Sequence, residues 1–539
     1  MNYSSFRLVL IALTISVLFG CNNPNKQESE VSQPNIVYIM SDDHAYQAVS
    51  AYGHGLNETP NIDKLAKEGA IFMQSFVTNS LCAPSRAAML TGKFNHINGK
   101  VDNANTFDGN QQTFPKLLQQ AGYQTAIVGK WHLKSDPQGF DYWNILPGQG
   151  NYYNPDFIEN GIKKRIPGYV TSLTTKFALH WLDSLRDKSK PFCLLVHQKA
   201  PHRNWLPEGK YLNLYEDREF PFPDNFFDDY EGRGTAAHTQ EMEIVEHMMW
   251  GHDMKFENDP YTGKPTNFMP DIKRFDELQR NAWREAYNPR NDAFIKNKPE
   301  GKELSKWKFH RYLRDYLKCI RSVDDAVGEI LNYLDKNNLA DNTIVIYTSD
   351  QGFYLGEHGW FDKRFMHEQS LRMPLLVRYP KEIKAGSTVN KMIQNIDFAP
   401  TLLDYAGVNI PDDIQGNSFR KIVAGEDIPW RDAIYYHYYE YPSVHMVKRH
   451  YGIRTDRYKL IHYYYDVDEW ELYDLEKDPE EMHSFYNDPA YAEIKDMLHK
   501  KLTEIRLKYQ DSDELSEKYR ITYMEAREKA LKKRAKAKK

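Results

Sequence analysis

The chain predicts an α/β fold whose large domain is built on a mostly parallel sheet flanked by helices, with a smaller C-terminal domain. Between residues 35 and about 405, apolar runs of strand length alternate with amphipathic stretches of helix length. Strands covered on both faces read as continuous hydrophobic runs, because neither face meets water, and crossover helices supply the cover. From about residue 426 the pattern changes to Tyr-rich strand candidates, which fits a small antiparallel sheet. A length of 539 residues is also more than one compact core usually holds.

In chain order, the first residues stand apart. Arg7 precedes an apolar run from Leu8 to Phe19. It is too short to span a bilayer and has the length of a signal-peptide core. It ends in Leu18-Phe19-Gly20-Cys21, which resembles a bacterial lipoprotein box. Residues 1–20 are therefore expected to be a signal peptide, Cys21 the lipidated N-terminus, and 21–33 a polar tether. The expected location is that of an exported bacterial lipoprotein, periplasmic or anchored at the outer membrane or cell surface. Contact with the membrane is then through the lipid alone.

The large domain is expected over 34–425, with strands at 35–40, 124–128, 192–196, 343–347 and 374–377. Helices are expected at 62–68, 84–90, 114–121, 175–187, 309–337 and 398–406. For the second of these, Pro84 suits a first turn, where its missing N–H is no loss, and Gly92 suits a left-handed stop. Residues 203–305 are rich in Pro, Asn, Asp and aromatics and poor in periodicity. They are expected to form an inserted loop region over the active edge. The C-terminal subdomain, 426–539, is expected to contain strands at 433–439 and 458–465, a helix at 490–508 and a basic helical tail. The net charge of −5 hides that tail, since residues 529–539 carry seven cations and no acid. A solvated helix end is its plain reading, and contact with an acidic glycan or lipid the other.

Polar residues follow the strands in a pattern of their own. Asp42 and Asp43 follow the first, Lys130 and His132 the second, Lys199 and His202 the third, and Asp350 and Gln351 the fourth. Ligand sites of open α/β sheets form beyond the carboxyl ends of strands, so these residues converge on one edge. Three carboxylates and an amide oxygen suit a hard cation, Ca²⁺ or Mg²⁺. Cys82 opens the helix that Pro84 starts, where the helix dipole favours negative charge. That makes it a candidate nucleophile or anion-site residue, with an idle buried thiol as the alternative. Cys193 and Cys319 read as buried thiols, with a disulfide between them left open.

The string Cys82-Ala83-Pro84-Ser85-Arg86, ending in Leu90-Thr91-Gly92, resembles the signature of the type I sulfatases. So do Gly129-Lys130-Trp131-His132, Ala200-Pro201-His202, Ser349-Asp350-Gln351-Gly352 and Gly356-Glu357-His358-Gly359. The resemblance implies an alkaline-phosphatase-like catalytic domain and conversion of Cys82 to formylglycine (3-oxoalanine). That conversion needs a formylglycine-generating or anaerobic sulfatase-maturating enzyme as partner. It further implies that Asp42, Asp43, Asp350 and Gln351 bind one Ca²⁺ together with the residue-82 oxygen. The last position is commonly Asn in the family. Arg86 holds the nucleophile, and Lys130, His132, His202 and Lys363 contact the sulfate.

The implied chemistry has a metal-activated hydroxyl of the hydrated aldehyde attack sulfur, while His202, supported by Lys363, protonates the leaving alcohol. His132 then takes the proton of the second hydroxyl, and sulfate departs. The segment Gly92-Lys93-Phe94-Asn95-His96 resembles the glucosamine-6-sulfatase branch. This implies exo-acting removal of 6-O-sulfate from N-acetylglucosamine or glucosamine of a glycan such as heparan sulfate. Asn103, Lys199, His358, Arg364, His445 and His450 are candidates for holding the sugar. Three other readings compete: a sulfatase acting on another sulfated polysaccharide; a metal-dependent phosphatase or phosphodiesterase of the same superfamily, usually with two zincs and disfavoured by Cys82; and a non-catalytic glycan-binding lipoprotein. Nothing in the sequence points to a nucleic acid.

Overall fold

A computed structural model describes residues 33–268 and 270–537. The expected signal peptide, Cys21 and all but the last residue of the tether lie outside the described residues. Ten strands form the central sheet: β1 (Asn35–Ser41), β2 (Ala70–Phe72), β3 (Gln124–Lys130), β4 (Tyr142–Leu146), β5 (Asp156–Glu159), β6 (Ile162–Arg165), β7 (Phe192–His197), β8 (Thr343–Ser349), β9 (Leu375–Arg378) and β10 (Ser387–Val389). Their spatial order is β10-β2-β9-β8-β1-β7-β3-β4-β5-β6. The five central strands, β8 to β4 in that order, are parallel. Val37 of β1, for instance, lies between Leu194 and Val345.

Alternate residues of β1 feed two separate cores. Val37 and Ile39 join one cluster, and Ile36, Tyr38 and Met40 the other. Both faces are thus covered, as the unbroken apolar runs require. The covering helices are α1 (Pro60–Glu68), α2 (Cys82–Thr91), α3 (Phe114–Gln120), α4 (Val170–His180), α5 (Glu277–Asn297), α6 (Gly301–Lys336) and α7 (Phe398–Tyr405).

One expected strand gains its direction from the structure, and one expectation is corrected. The strand foreseen at 374–377 exists as β9, but it runs antiparallel to both β8 and β2. The supposed loop region 203–305 contains the 21-residue α5, with Pro289 inside it and a capping box of Asp276 and Gln279 at its start. An interior proline and a polar sequence hide this helix, because most of its residues face solvent and leave no apolar stripe. Cys193 and Cys319 are buried free thiols.

The C-terminal sheet is an antiparallel meander of β11 (Ala433–Tyr438), β12 (His450–Thr455), β13 (Tyr458–Tyr463) and β14 (Glu469–Asp474). Helices α8 (Ala492–Lys508) and α9 (Asp513–Ala537) follow. A third core cluster joins Tyr435, Ile453, Leu460 and Leu498 to Ala88 and Phe94. The small sheet is therefore packed against α2 and the turn that follows it.

Candidate active site

The strand ends deliver a cluster of charges. One carboxylate oxygen each from Asp42, Asp43 and Asp350 lies within 4.8 Å of the other two, and all three residues are buried. Asp43 takes a left-handed backbone (φ 65°), a conformation that costs free energy and must be held in place. Two contacts hold it: its N–H donates to Asp350 Oδ1 at 3.1 Å, and its carbonyl accepts from the Tyr316 hydroxyl of α6 at 2.7 Å. Burial pushes the Asp43 carboxyl up to about 6, although Lys363 beside it pulls the other way.

Helix α2 brings Cys82 and Arg86 to the same place. Every residue of α2 is buried, and Gly92 ends it in the left-handed conformation (φ 66°) that the sequence foresees. Cys82 Sγ is 3.9 Å from Asp43 Oδ1 and 3.8 Å from Gln351 Nε2. Burial pushes its thiol far above the ordinary value; Lys363 opposes this, while Asp350 and Asp43 add to it. A thiol held that high is protonated and a poor nucleophile. One turn on, Arg86 grips Asp350 Oδ2 through Nε (3.0 Å) and Nη2 (2.8 Å), and the Lys130 carbonyl through Nη1 (2.6 Å).

Three cations face the three carboxylates. Lys130 pairs with Asp42, Lys363 Nζ lies 2.5 Å from Asp43 Oδ1, and Arg86 holds Asp350. Lys130 reaches this position because Gly129 precedes it, since a Cβ there would stand 2.0 Å from the His197 carbonyl oxygen. Lys199, buried over the Tyr152 ring at 4.7 Å, adds a fourth cation. His132 and His202 are half-buried at the edge of the cluster. His202 Nε2 is 3.9 Å from Asp43 Oδ2, and its Nδ1 contacts the Arg203 carbonyl at 2.5 Å. Burial holds both rings well below the usual histidine range, and Lys130 is the next cause for each.

The donor set fits a hard cation. Asp42 Oδ1, Asp43 Oδ2 and Gln351 Oε1 are buried and accept no hydrogen bond from any of the described residues. Leaving such atoms unmatched is costly, and a cation among them supplies the missing partner. With Lys199 counted, a dication there would also leave three positive charges in surplus, which suits an anionic ester.

A second ring of residues surrounds the cluster. Arg364 Nε binds Asp362 Oδ1 at 3.0 Å, and Arg364 Nη1 lies 3.6 Å from Glu440 Oε1. His445 Nε2 is 3.4 Å from Asp362 Oδ2 and 3.4 Å from Arg203 Nη1, while Arg203 is paired with Asp253. Asn103 accepts from the Ala83 N–H (3.2 Å) and donates its own N–H to Glu440 Oε2 (2.6 Å). Asn103, Arg364 and His445 are thus brought to the cluster, and Asp362, Glu440, Arg203 and Asp253 join them unforeseen. Asp362, Arg364 and His445 all have positive φ (76°, 103° and 69°).

His358 and His450 are engaged elsewhere. His358 has φ 57°, and its ring is buried against Asp228 (2.8 Å) and Arg233 (3.2 Å). His450 stacks with Phe365, Tyr436 and Tyr438 and bonds the Lys448 carbonyl. Both rings are buried, with Nδ1 engaged as described and Nε2 without a hydrogen-bond partner among the described residues.

Residues 34–408 match the sulfatase family, and 356–508 match the C-terminal part of N-sulphoglucosamine sulphohydrolase. The chain belongs to the sulfatase family. This sulfatase is 51% identical over 520 residues to an N-acetylglucosamine-6-O-sulfatase of Bacteroides thetaiotaomicron, covering 95% of this chain and 92% of the relative. The human N-acetylglucosamine-6-sulfatase is 28% identical over 458 residues, covering 79% and 71%. A solved structure described as a complex with its substrate D-glucosamine-2-N,6-O-disulfate superposes with a TM-score of 0.87 at 51% identity. It covers 89% of this sulfatase and 99% of that chain. A phosphonate monoester hydrolase of Agrobacterium radiobacter (TM-score 0.64, 20% identity, 88% and 96% covered) shares the fold alone.

Proposed function

We propose that this sulfatase removes the 6-O-sulfate from N-acetylglucosamine or glucosamine units at the end of a sulfated glycan such as heparan sulfate. The observation that carries the reading is 51% identity, along nearly the whole of both chains, to a 6-O-sulfatase of that sugar. Asp42, Asp43, Asp350 and Gln351 would hold one Ca²⁺, whose chemistry is to acidify a bound hydroxyl and offset negative charge on sulfate oxygens. Cys82, converted to formylglycine by a maturation enzyme, would supply a hydrated aldehyde. That group offers a hydroxyl nucleophile for sulfur and a second hydroxyl through which the aldehyde is restored.

The chain's own residues do the rest. Arg86 fixes the start of α2 against Asp350, so that position 82 faces the carboxylates. Lys130, Lys363 and Lys199 supply positive charge where the sulfuryl oxygens gain negative charge. His202 gives a proton to the departing sugar oxygen, an alkoxide that leaves poorly without one, and Lys363 supports it. His132, on the Lys130 side, takes the proton that restores the nucleophile. Burial is the main cause that holds both rings neutral, and a bound sulfate offsets only the part that the lysines add. Arg364 and His445, braced by Asp362, and Asn103, braced by Glu440, would hold the sugar.

The lipoprotein box at Cys21 supports an exported, lipid-anchored enzyme. Incorporation of labelled palmitate that survives Cys21→Ala would overturn the anchor. The substrate is tested by sulfate release from a panel of defined sulfated monosaccharides and disaccharides, using protein whose residue-82 peptide shows the aldehyde by mass spectrometry. Release from 6-O-sulfated glucosamine is expected. Preference for galactose or uronate sulfates would overturn the assignment.

A further inference from the structure

Helix α9 is fastened to the wall of the active site. The Tyr519 hydroxyl donates to the His96 carbonyl at 2.9 Å, and the Tyr523 hydroxyl to the Pro442 carbonyl at 3.0 Å. The Tyr519 ring lies 5.9 Å from that of Tyr439, and Arg449 sits over Tyr523 at 5.6 Å. Pro442 belongs to the short loop that carries Glu440 and His445, the partners of Arg364 and Asp362. The helix is therefore tied to the same loop that forms the rim.

Beyond that anchorage its charge changes. Residues 513–528 mix both signs, whereas residues 529–539 carry seven cations and no acid. Lys529, Lys532, Lys533 and Lys536 follow in sequence an i, i+3, i+4, i+7 spacing, the spacing of one face of an ideal helix. That face is turned by roughly 100° from the one bearing Tyr519 and Tyr523, taking about 100° per residue. The first cation of the row lies about 9 Å along the axis from Tyr523, at 1.5 Å per residue.

We infer that this lysine row is an accessory binding arm for the sulfated glycan chain, which it gathers at the rim of the active site. The choice of polyanion rests on the substrate reading above. A line of cations meeting a line of sulfates releases condensed counterions, so binding is strong at low salt and falls steeply as salt rises. An anionic membrane is the poorer match. Residues 529–539 contain one large apolar residue, Leu531, and a helix lying in a lipid interface needs a wide apolar face. The arm touches no reacting atom. It raises the local concentration of a long chain and does nothing for a single sugar.

The test compares the full chain with a variant carrying Lys529→Gln, Lys532→Gln, Lys533→Gln and Lys536→Gln, glutamine being nearly as good a helix former as lysine. Heparin is the probe for binding, and 6-O-sulfo-N-acetylglucosamine the probe for turnover. Heparin affinity should fall on the order of tenfold or more at low salt, with a shallower dependence of log Kd on log salt. Turnover of the single sugar should be unchanged, while KM for a long 6-O-sulfated chain rises. Equal heparin affinity of the two proteins overturns the arm. So does a loss confined to phosphatidylglycerol vesicles. Weakened heparin binding in an enzyme that ignores the single sugar upholds the arm and sinks the substrate reading.

Discussion

Arg86, Asp350, Asp43 and Lys363 form a buried set in which each charge depends on the next. Ion pairs of this kind give little net stability, because desolvation offsets their attraction, but removing one partner strands the other. Arg86→Ala leaves Asp350 without the guanidinium that binds it twice. The variant should lose activity and also about 3–5 kcal/mol of stability, read by urea unfolding. Cys82→Ala removes the nucleophile from the same helix without stranding a charge, so it should be equally inactive yet close to wild type in stability. If both variants unfold alike, the buried-pair account fails. His202 makes a different prediction. A proton donor matters most for a poor leaving group, so His202→Ala should slow release from a sugar 6-O-sulfate about 10²–10⁴-fold. An aryl sulfate, whose phenolate leaves unaided, should be slowed far less. Equal losses on the two substrates would remove His202 from the donor role.

Between helices, one carboxylate does the work of a missing cap. The Thr59 side chain makes no capping bond to α1; instead Asp324, from the middle of α6, accepts from the N–H groups of Asn61 (3.0 Å) and Ile62 (2.9 Å). Asp324→Ala should cost about 1–3 kcal/mol by leaving those donors unmatched, with kcat unchanged. Burial pushes the Asp324 carboxyl up to about 6, against the pull of the Ile62 N–H, whereas an unfolded aspartate titrates near 3.9. Between those values the folded state binds the proton more tightly, so stability falls as pH rises through that window. Asp324→Asn carries no such charge. Its stability relative to wild type should therefore improve as pH rises from about 4 to about 6, then level off. A pH-independent difference in unfolding midpoint would contradict the cause given for the shift.

The same scale shows what the sequence reveals. Asp42, Lys130, Lys199 and Asp350 are legible because each directly follows a buried apolar run, and the end of a run marks the end of a strand. Asp362, Glu440, Arg203 and Asp253 are not: the last three come from loops without periodicity, and Asp362 sits in a two-residue strand at a left-handed residue that no spacing announces. His358 shows the opposite failure. It lies five residues before Lys363 in a familiar motif, but its own left-handed turn sends the ring to Asp228. Helix α5 stays hidden behind Pro289 even though Asp276 and Gln279 spell its start.

Across the whole molecule, the C-terminal sheet completes the site instead of standing beside it. The Tyr436 hydroxyl of β11 accepts from the Ser80 N–H just ahead of α2 (3.1 Å) and donates to the Arg364 carbonyl (2.5 Å). One side chain thus ties the nucleophile helix to the Lys363–Arg364 loop. Residues 33–539 also form one compact unit, with a core cluster shared between α2 and the small sheet. Metal binding should act on this whole unit. Asp42, Asp43 and Asp350 come from two strand ends that only folding brings together, so the unfolded chain has no comparable site, and the proposed Ca²⁺ would bind the native state alone. At a concentration 100 times its Kd, such an ion stabilises by about 2.7 kcal/mol. Scanning calorimetry of the chelated protein should show a single transition that moves up by a few degrees when Ca²⁺ is restored, together with the return of sulfate release. Asp350→Asn should lower the starting Tm, since it weakens the partner of Arg86, and should abolish the calcium-dependent rise. A wild-type Tm indifferent to Ca²⁺, or a rise that persists undiminished in Asp350→Asn, would mean that the unmatched oxygens of Asp42, Asp43 and Gln351 are satisfied by something other than this ion.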